Sequence, residues 1–374
     1  MEDKPIRLSK WTHLMKHNGA YAVFHSLQLS LLFFEARYGN FLKELRLGTT
    51  LKHLRKLDND ADIIVAELRK QQLVVSVGYD DNVVIRNKQK EYVYKPSLET
   101  IFMLLTDACN LRCDYCFING NTPKQHQGAK VMSWDTAQET IDMYFNNLRP
   151  TNFHKTIVFY GGEPLLMFPL FKQIINYIHA SHSKALNKFK IGLLLITNGT
   201  KINNEISEYL AKHPEITICI SLDGCKEAND QKRIYANKKG TFADIMAGIW
   251  RLHLAGRKDI NISATIDEHN VDKLDDFLSL YKQYQFQTVN FNLLLDTAER
   301  AVDPSYTEHA TKRMLEYFEK AREIGLYEDR IMRKVRAMKR GVLHPFDCRA
   351  TGAQLAISPD GLLGVCHEGV GCNN

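Results

Sequence analysis

Apolar residues fall into two regimes along this chain. From residue 99 onward, short and mostly apolar runs alternate with stretches of helical periodicity. The runs lie at 100–105, 156–160, 192–197, 216–222, 260–265 and 288–293. Each reads as a strand buried in a parallel sheet. Between them, 135–148, 169–181, 203–212, 242–254 and 271–283 carry apolar residues at helical spacing. Ser133, followed by Asp135 and Glu139, marks a helix start. Six β/α units in succession predict an α/β fold with a parallel sheet or partial barrel, its chemistry at the C-terminal ends of the strands. A long helical stretch then runs over 308–339, and a cysteine-containing tail follows at 346–374.

Before residue 95 the pattern differs. Aromatic and branched residues predict strands at 21–24 and 28–34, and helices are expected at 38–47, 50–57 and 60–71. Residues 73–77, a turn at 78–82 and 83–86 read as a hairpin, the turn holding Gly78, Asp80 and Asp81. Helices followed by a small hairpin resemble a winged helix. The polar segment 87–96, ending in Pro96, reads as a linker. Three regions are therefore expected: 1–95, 96–310 and 311–374.

Composition narrows the class. Of 374 residues, 44% are hydrophobic and 25% charged, which excludes a disordered, collagen-like or coiled-coil chain. Apolar stretches such as 29–34 are far short of the roughly 20 residues that span a bilayer. The charged N-terminus has no apolar segment behind it, so a cytoplasmic protein with no membrane partner is expected. The net charge of +6 is mild, and the one basic run, 330–340, reads as a solvated helix face. Nucleic acid is not an expected partner. The eight cysteines are clustered in a long chain, which favours metal or redox chemistry over disulfides.

The sharpest cluster is Cys109, Cys113 and Cys116, spaced by three residues and then two, directly after the first strand of the α/β region. Three thiolates on a four-iron cluster leave one iron open for a substrate or cofactor. A structural zinc site wants a fourth ligand, usually from a second pair; that and redox thiols are the alternatives. The second strand ends in Gly161-Gly162-Glu163, two glycines that permit close approach of backbone and a carboxylate that accepts from an ammonium. The third ends at Asn198, either a ligand contact or an ordinary turn residue. On the fourth, alternation places Cys219, Ser221 and Asp223 on one face, and Asn229 and Arg233 follow. Ser263 and Thr265 on the fifth are open between pocket wall and core.

The Cys-x3-Cys-x2-Cys spacing, the Gly-Gly-Glu segment and the Ser-Leu-Asp-Gly of residues 221–224 together resemble the radical S-adenosylmethionine superfamily. The resemblance covers roughly 99–374. It implies a partial (β/α)6 barrel, a [4Fe-4S] cluster on Cys109, Cys113 and Cys116, and S-adenosylmethionine cleaved to a 5′-deoxyadenosyl radical. It further implies Tyr115 near the adenine, Gly161, Gly162 and Glu163 at the methionine amino group, Asn198 lining the site, Ser221 on the cofactor, Arg233 on its carboxylate, and Asp223 at the ribose or the substrate. Asn229 stands where the peptide-modifying subset commonly has histidine. The hard chemistry belongs to the cofactor and its placement to the protein.

In the tail, Cys348-x12-Gly361-x4-Cys366 resembles the opening of SPASM and twitch extensions, which carry auxiliary iron–sulfur clusters. With Cys372 there are three such ligands, one fewer than a fully ligated cluster takes. The N-terminal region is similar to the peptide-recognition domain ahead of many SPASM-type maturases, where a leader peptide adds as a strand. The expectation is a peptide maturase. It would form a thioether or carbon–carbon crosslink, or carry out an oxidation, on a ribosomally made precursor peptide with a leader, and take electrons from a flavodoxin or ferredoxin. The alternatives are a side-chain oxidase of the anaerobic sulfatase maturase type and, in another class, a zinc-stabilised nucleic-acid-binding protein.

Overall fold

In the computed structural model residues 4–93, 97–118, 129–151, 153–294, 303–341 and 348–367 are described. The chain divides into two compact units, Met1–Pro96 with Arg333–Asp347, and Ser97–Met332 with Cys348–Asn374.

The smaller unit opens with β1 (Ile6–Leu8), followed by an antiparallel meander of β2 (Thr12–His17), β3 (Ala20–His25) and β4 (Leu31–Glu35). Three helices follow, α1 (Gly39–Leu47), α2 (Leu51–Leu57) and α3 (Ala61–Lys70), then β5 (Val74–Ser76) and α4 (Val83–Val93). Ile6, Val23, Leu42, Leu45, Leu54 and Leu68 are fully buried and form its core. The expected hairpin over 73–86 is not formed. β5 pairs instead with β1, Ile6 opposite Ser76, and 83–93 is helical, which also removes most of the expected linker. The cause is Asp81. It is buried, and its carboxylate accepts from Ser9 Oγ at 2.7 Å and Arg7 Nη2 at 2.6 Å, while its carbonyl accepts from Trp11 Nε1 at 2.9 Å. The turn is therefore tied to the start of the chain. β1 and β2 lay outside the sequence-based strands because neither has a long apolar run.

The larger unit runs β6 (Thr100–Leu104), α5 (Trp134–Asn146), β7 (Thr156–Tyr160), α6 (Phe168–Phe189), β8 (Gly192–Thr197), α7 (Asn204–Lys212) and β9 (Ile216–Ser221). It continues with α8 (Lys226–Lys232), α9 (Phe242–Leu254), β10 (Ile260–Ile266), α10 (Asp276–Tyr284), β11 (Thr288–Leu293), α11 (Pro304–Glu323), β12 (Tyr327–Glu328), the first turn of α12 (Asp329–Arg340), which from Arg333 on counts with the smaller unit, then β13 (Gln354–Ile357) and β14 (Leu363–Gly364). One sheet has the order β12-β11-β10-β9-β8-β7-β6-β13-β14, and every neighbouring pair is parallel except the final hairpin. The six expected strands are thus β6 to β11, in sequential order.

Alternation along these strands separates two faces. Ile101, Met103, Ile157, Phe159, Ile218, Ile220 and Ile262 lie in the core under the helices. Cys219, Ser221, Ser263, Asn290 and Asn292 point the other way and are half-buried. The continuous helix expected over 308–339 is broken. Gly325 takes φ +77°, and the buried Glu328 carboxylate accepts from Arg330 N at 3.0 Å and Ile331 N at 2.7 Å, starting α12 afresh. Ser133 caps α5 by accepting from Thr136 N at 3.1 Å. Ser133→Ala is expected to lower unfolding free energy by about 1 kcal/mol, read from denaturant melts. Among the described residues no helix is long and apolar enough to cross a membrane.

Candidate active site

Beyond β6 the chain enters the loop of Cys109, Cys113 and Cys116, and three other strand tips hold that loop. After β7, Gly162 N donates to Thr106 O and Glu163 N to Ala108 O, each at 2.8 Å. After β8, Asn198 Nδ2 donates to Asn110 Oδ1 at 3.0 Å and to Cys109 Sγ at 3.8 Å. Asn110 Nδ2 donates in turn to Thr200 Oγ1 at 2.8 Å. After β9 and α8, Arg112 N donates to Ile234 O at 2.7 Å.

The two glycines serve this contact. A Cβ on Gly162 would lie 2.1 Å from Ala108 O, and one on Gly161, at φ +127°, 2.3 Å from Thr106 O. Their close approach is to the cysteine loop's own backbone. Glu163 is fully buried, and its carboxylate accepts from Leu165 N at 3.0 Å, Thr197 Oγ1 at 2.7 Å and Asn198 N at 2.8 Å. Burial pushes this carboxyl upward, against those hydrogen bonds. Glu163 thereby fastens the tips of β7 and β8 together, and its Oε2, which accepts only from Asn198 N, keeps acceptor capacity.

Half-buried Tyr115 and buried Asp223 and Arg233 form a second group. Tyr115 OH donates to Asp223, and Arg233 Nε lies 2.9 Å from Asp223 Oδ2. The guanidinium sits 5.5 Å from the centre of the Tyr115 ring. Asp223 Oδ1 also accepts from Thr265 N at 2.8 Å. Burial opposes the charge on Arg233, but Asp223 and its neighbours outweigh it and hold the group protonated. Asn229, fully buried, donates to Thr241 Oγ1 at 3.1 Å and accepts from Asp223 N at 3.3 Å, a bracing position within the fold. Ser221 ends β9 half-buried on the polar face.

Burial pushes the Cys109 thiol up to about 11 and the Cys113 thiol to about 12; the Arg233 charge opposes the shift at Cys113. Such thiols ionise when a metal displaces their protons. Among the described residues, the group of three ligand atoms lying within 4.8 Å of one another is elsewhere, at His179, His213 and Glu215. The soft, three-thiol donor set fits iron–sulfur ligation.

Other residues at this end were not singled out from sequence. Asn292 Nδ2 donates to Ser263 Oγ at 2.9 Å, Arg330 Nη2 to Asn292 Oδ1 at 2.7 Å, and Asn290 Nδ2 to the same oxygen at 3.2 Å. The alternation of Asn290 and Asn292 with Val289 and Phe291 carried that signal; Arg330 was hidden in a basic run. His367 stacks on Phe102 with ring centres 4.4 Å apart and meets Phe117, next to Cys116, at 5.6 Å. Burial lowers its pKa to about 4. Cys348 is exposed, its sulfur accepting from Ala350 N at 3.5 Å, and Cys366 is half-buried. Cys372 lies outside the described residues.

Comparison with known proteins adds to this geometry. The Radical SAM superfamily model matches residues 103–280. A cysteine-type anaerobic sulfatase-maturating enzyme of Clostridium novyi is 30% identical over 206 residues, 53% of this chain and 52% of that protein. The chain thus spans about half that relative's length. The radical SAM cyclopropyl synthase TigE of Paramaledivibacter caminithermalis is 21% identical over 99% of this chain and 81% of its own length. The crystal structure of Streptococcus suis SuiB bound to precursor peptide SuiA aligns with a TM-score of 0.55 at 13% identity, covering 99% of this chain and 85% of that one.

Proposed function

The chain carries a radical SAM superfamily domain, and from that premise we propose that it modifies a ribosomally made precursor peptide. The observation that carries the proposal is the Cys109, Cys113 and Cys116 loop, held by backbone and side-chain bonds to three strand tips. These cysteines would hold a [4Fe-4S] cluster, which with S-adenosylmethionine supplies a hydrogen-abstracting radical when bound. Asn198 and Glu163 keep the loop in place, Gly161 and Gly162 let it pack, and Arg233 sets a fixed positive charge beside Cys113. Tyr115, Ser221 and Asp223 are the proposed cofactor contacts. Asn290, Asn292 and Arg330 offer a polar wall for a substrate. A flavodoxin- or ferredoxin-type donor would supply the electron. Cys348, Cys366 and Cys372 are the proposed auxiliary ligands of a SPASM-like region.

The smaller unit supports peptide recognition. Among the described residues β2 and β4 pair on one side only, and Phe33 on β4 is 72% exposed. A cavity of about 780 Å³ follows β2, lined by Leu14 and Met15 with Arg7, Lys10 and Arg46 and no acidic residue. Free strand edges beside apolar and basic side chains suit an extended peptide. TigE, whose likeness spans the whole chain, and SuiB, seen with a precursor peptide, favour this substrate class over a folded protein. The sulfatase-maturase likeness keeps a second reading, oxidation of a cysteine or serine side chain. The three-thiol loop and the match to the radical SAM superfamily favour iron–sulfur ligation over the zinc-stabilised nucleic-acid reading.

The test is anaerobic incubation of the iron- and sulfide-loaded chain with S-adenosylmethionine, dithionite and each candidate precursor peptide encoded near its gene, followed by mass measurement. Loss of two hydrogens is expected for a crosslink or oxidation. Turnover of a sulfatase-derived peptide, with the precursor untouched, would replace the first reading by the second.

A further inference from the structure

At the far ends of the strands from the cysteine loop, a second set of ligand-type side chains converges. His179 comes from the middle of α6, His213 ends α7, and Glu215 immediately precedes β9. His179 Nε2 lies 3.0 Å and His213 Nδ1 2.9 Å from the same oxygen, Glu215 Oε1. The three ligand atoms all lie within 4.8 Å of one another.

The segment that carries two of them is held in shape. The buried Arg257 guanidinium donates to the carbonyls of Leu210, His213 and Ile216. The His213 ring packs on Tyr209 with centres 4.3 Å apart. The side chains are 38%, 23% and 36% exposed, so an ion and its remaining waters have access from solvent.

We propose that His179, His213 and Glu215 form a binding site for one divalent first-row transition ion of the zinc type, separate from the cysteine loop. Two imidazoles and a carboxylate are the donor set that zinc and iron(II) favour. With metal–nitrogen and metal–oxygen bonds of about 2.0–2.2 Å, donors at the observed separations subtend roughly a right angle at a shared ion. Each neutral imidazole keeps its proton on the far nitrogen, Nδ1 of His179 and Nε2 of His213, and turns a lone pair inward. Glu215 gives one oxygen, and water completes the shell. The ion would clamp α6 to the segment joining α7 and β9. Ferrous iron added to assemble a cluster would occupy the same place, so iron counts on loaded protein would include it.

The test is anaerobic calorimetric titration of zinc into the cluster-loaded full chain, whose cysteine loop is then engaged. Wild type is expected to take one ion more than His179→Ala, while both cleave S-adenosylmethionine equally. Glu215→Gln, which keeps the side chain's shape, is expected to weaken that ion at least tenfold. Cobalt placed there is expected to show no sulfur-to-metal charge-transfer band. Equal stoichiometry and affinity in wild type and both variants would overturn the site, as would uptake seen only with sulfur charge transfer.

Discussion

Cys113→Ala is expected to reduce 5′-deoxyadenosine formation under dithionite by at least about a thousandfold, the scale on which loss of a group the chemistry cannot do without registers. Burial pushes the Cys113 thiol up to about 12, so the sulfur becomes a thiolate only where metal displaces the proton. Arg233 lies beside it as a compensating cation. Removing this one sulfur leaves two ligands where a site-differentiated cubane needs three. Anaerobic reconstitution followed by chromatography of the nucleoside checks it. Cys366→Ala is the contrast. Its cysteine lies outside the loop, and S-adenosylmethionine cleavage is expected to survive while peptide product fails. Wild-type levels of nucleoside from the Cys113 variant would end the assignment of the cluster to this loop.

Gly162→Ala is expected to cost about 3 kcal/mol or more in stability and to cut the iron bound after reconstitution below half that of wild type. The new Cβ would stand 2.1 Å from Ala108 O and 2.6 Å from Asp107 O. Both are backbone atoms, so no flexible side chain can yield. The cysteine loop must move, and the 2.8 Å bonds from Gly162 N to Thr106 O and from Glu163 N to Ala108 O go with it. Denaturant melts and an iron assay on the same preparation measure the two effects. A variant with normal iron and normal stability would show that the loop tolerates displacement.

The parallel strands were legible because each is a short apolar run whose neighbours in space are its neighbours in sequence. β6 pairs with β7, and β7 with β8. Where pairing is distant, the local pattern misled. β5 looked like half a hairpin, yet its partner β1 lies near the start of the chain, and only the buried Asp81 reveals why. The same limit applies at the site. Cys109, Cys113 and Cys116 announced themselves by spacing. Glu163 was legible as a functional position, but sequence does not say which way a carboxylate faces, and this one faces Thr197 and Asn198. Asn290, Asn292 and Arg330 converge only once β10, β11 and the start of α12 are side by side. His367 reaches Phe102 from more than 250 residues along the chain, a proximity no periodicity encodes.

The bonds that hold the cysteine loop to its neighbours run between protein atoms throughout. A small zinc finger is shaped by its metal alone; here hydrogen bonds from three strand tips shape the loop as well. The placement of the thiols is accordingly inherited from the sheet, so a change at the end of β7 or β8 would be felt at sulfur atoms fifty to ninety residues earlier in the chain.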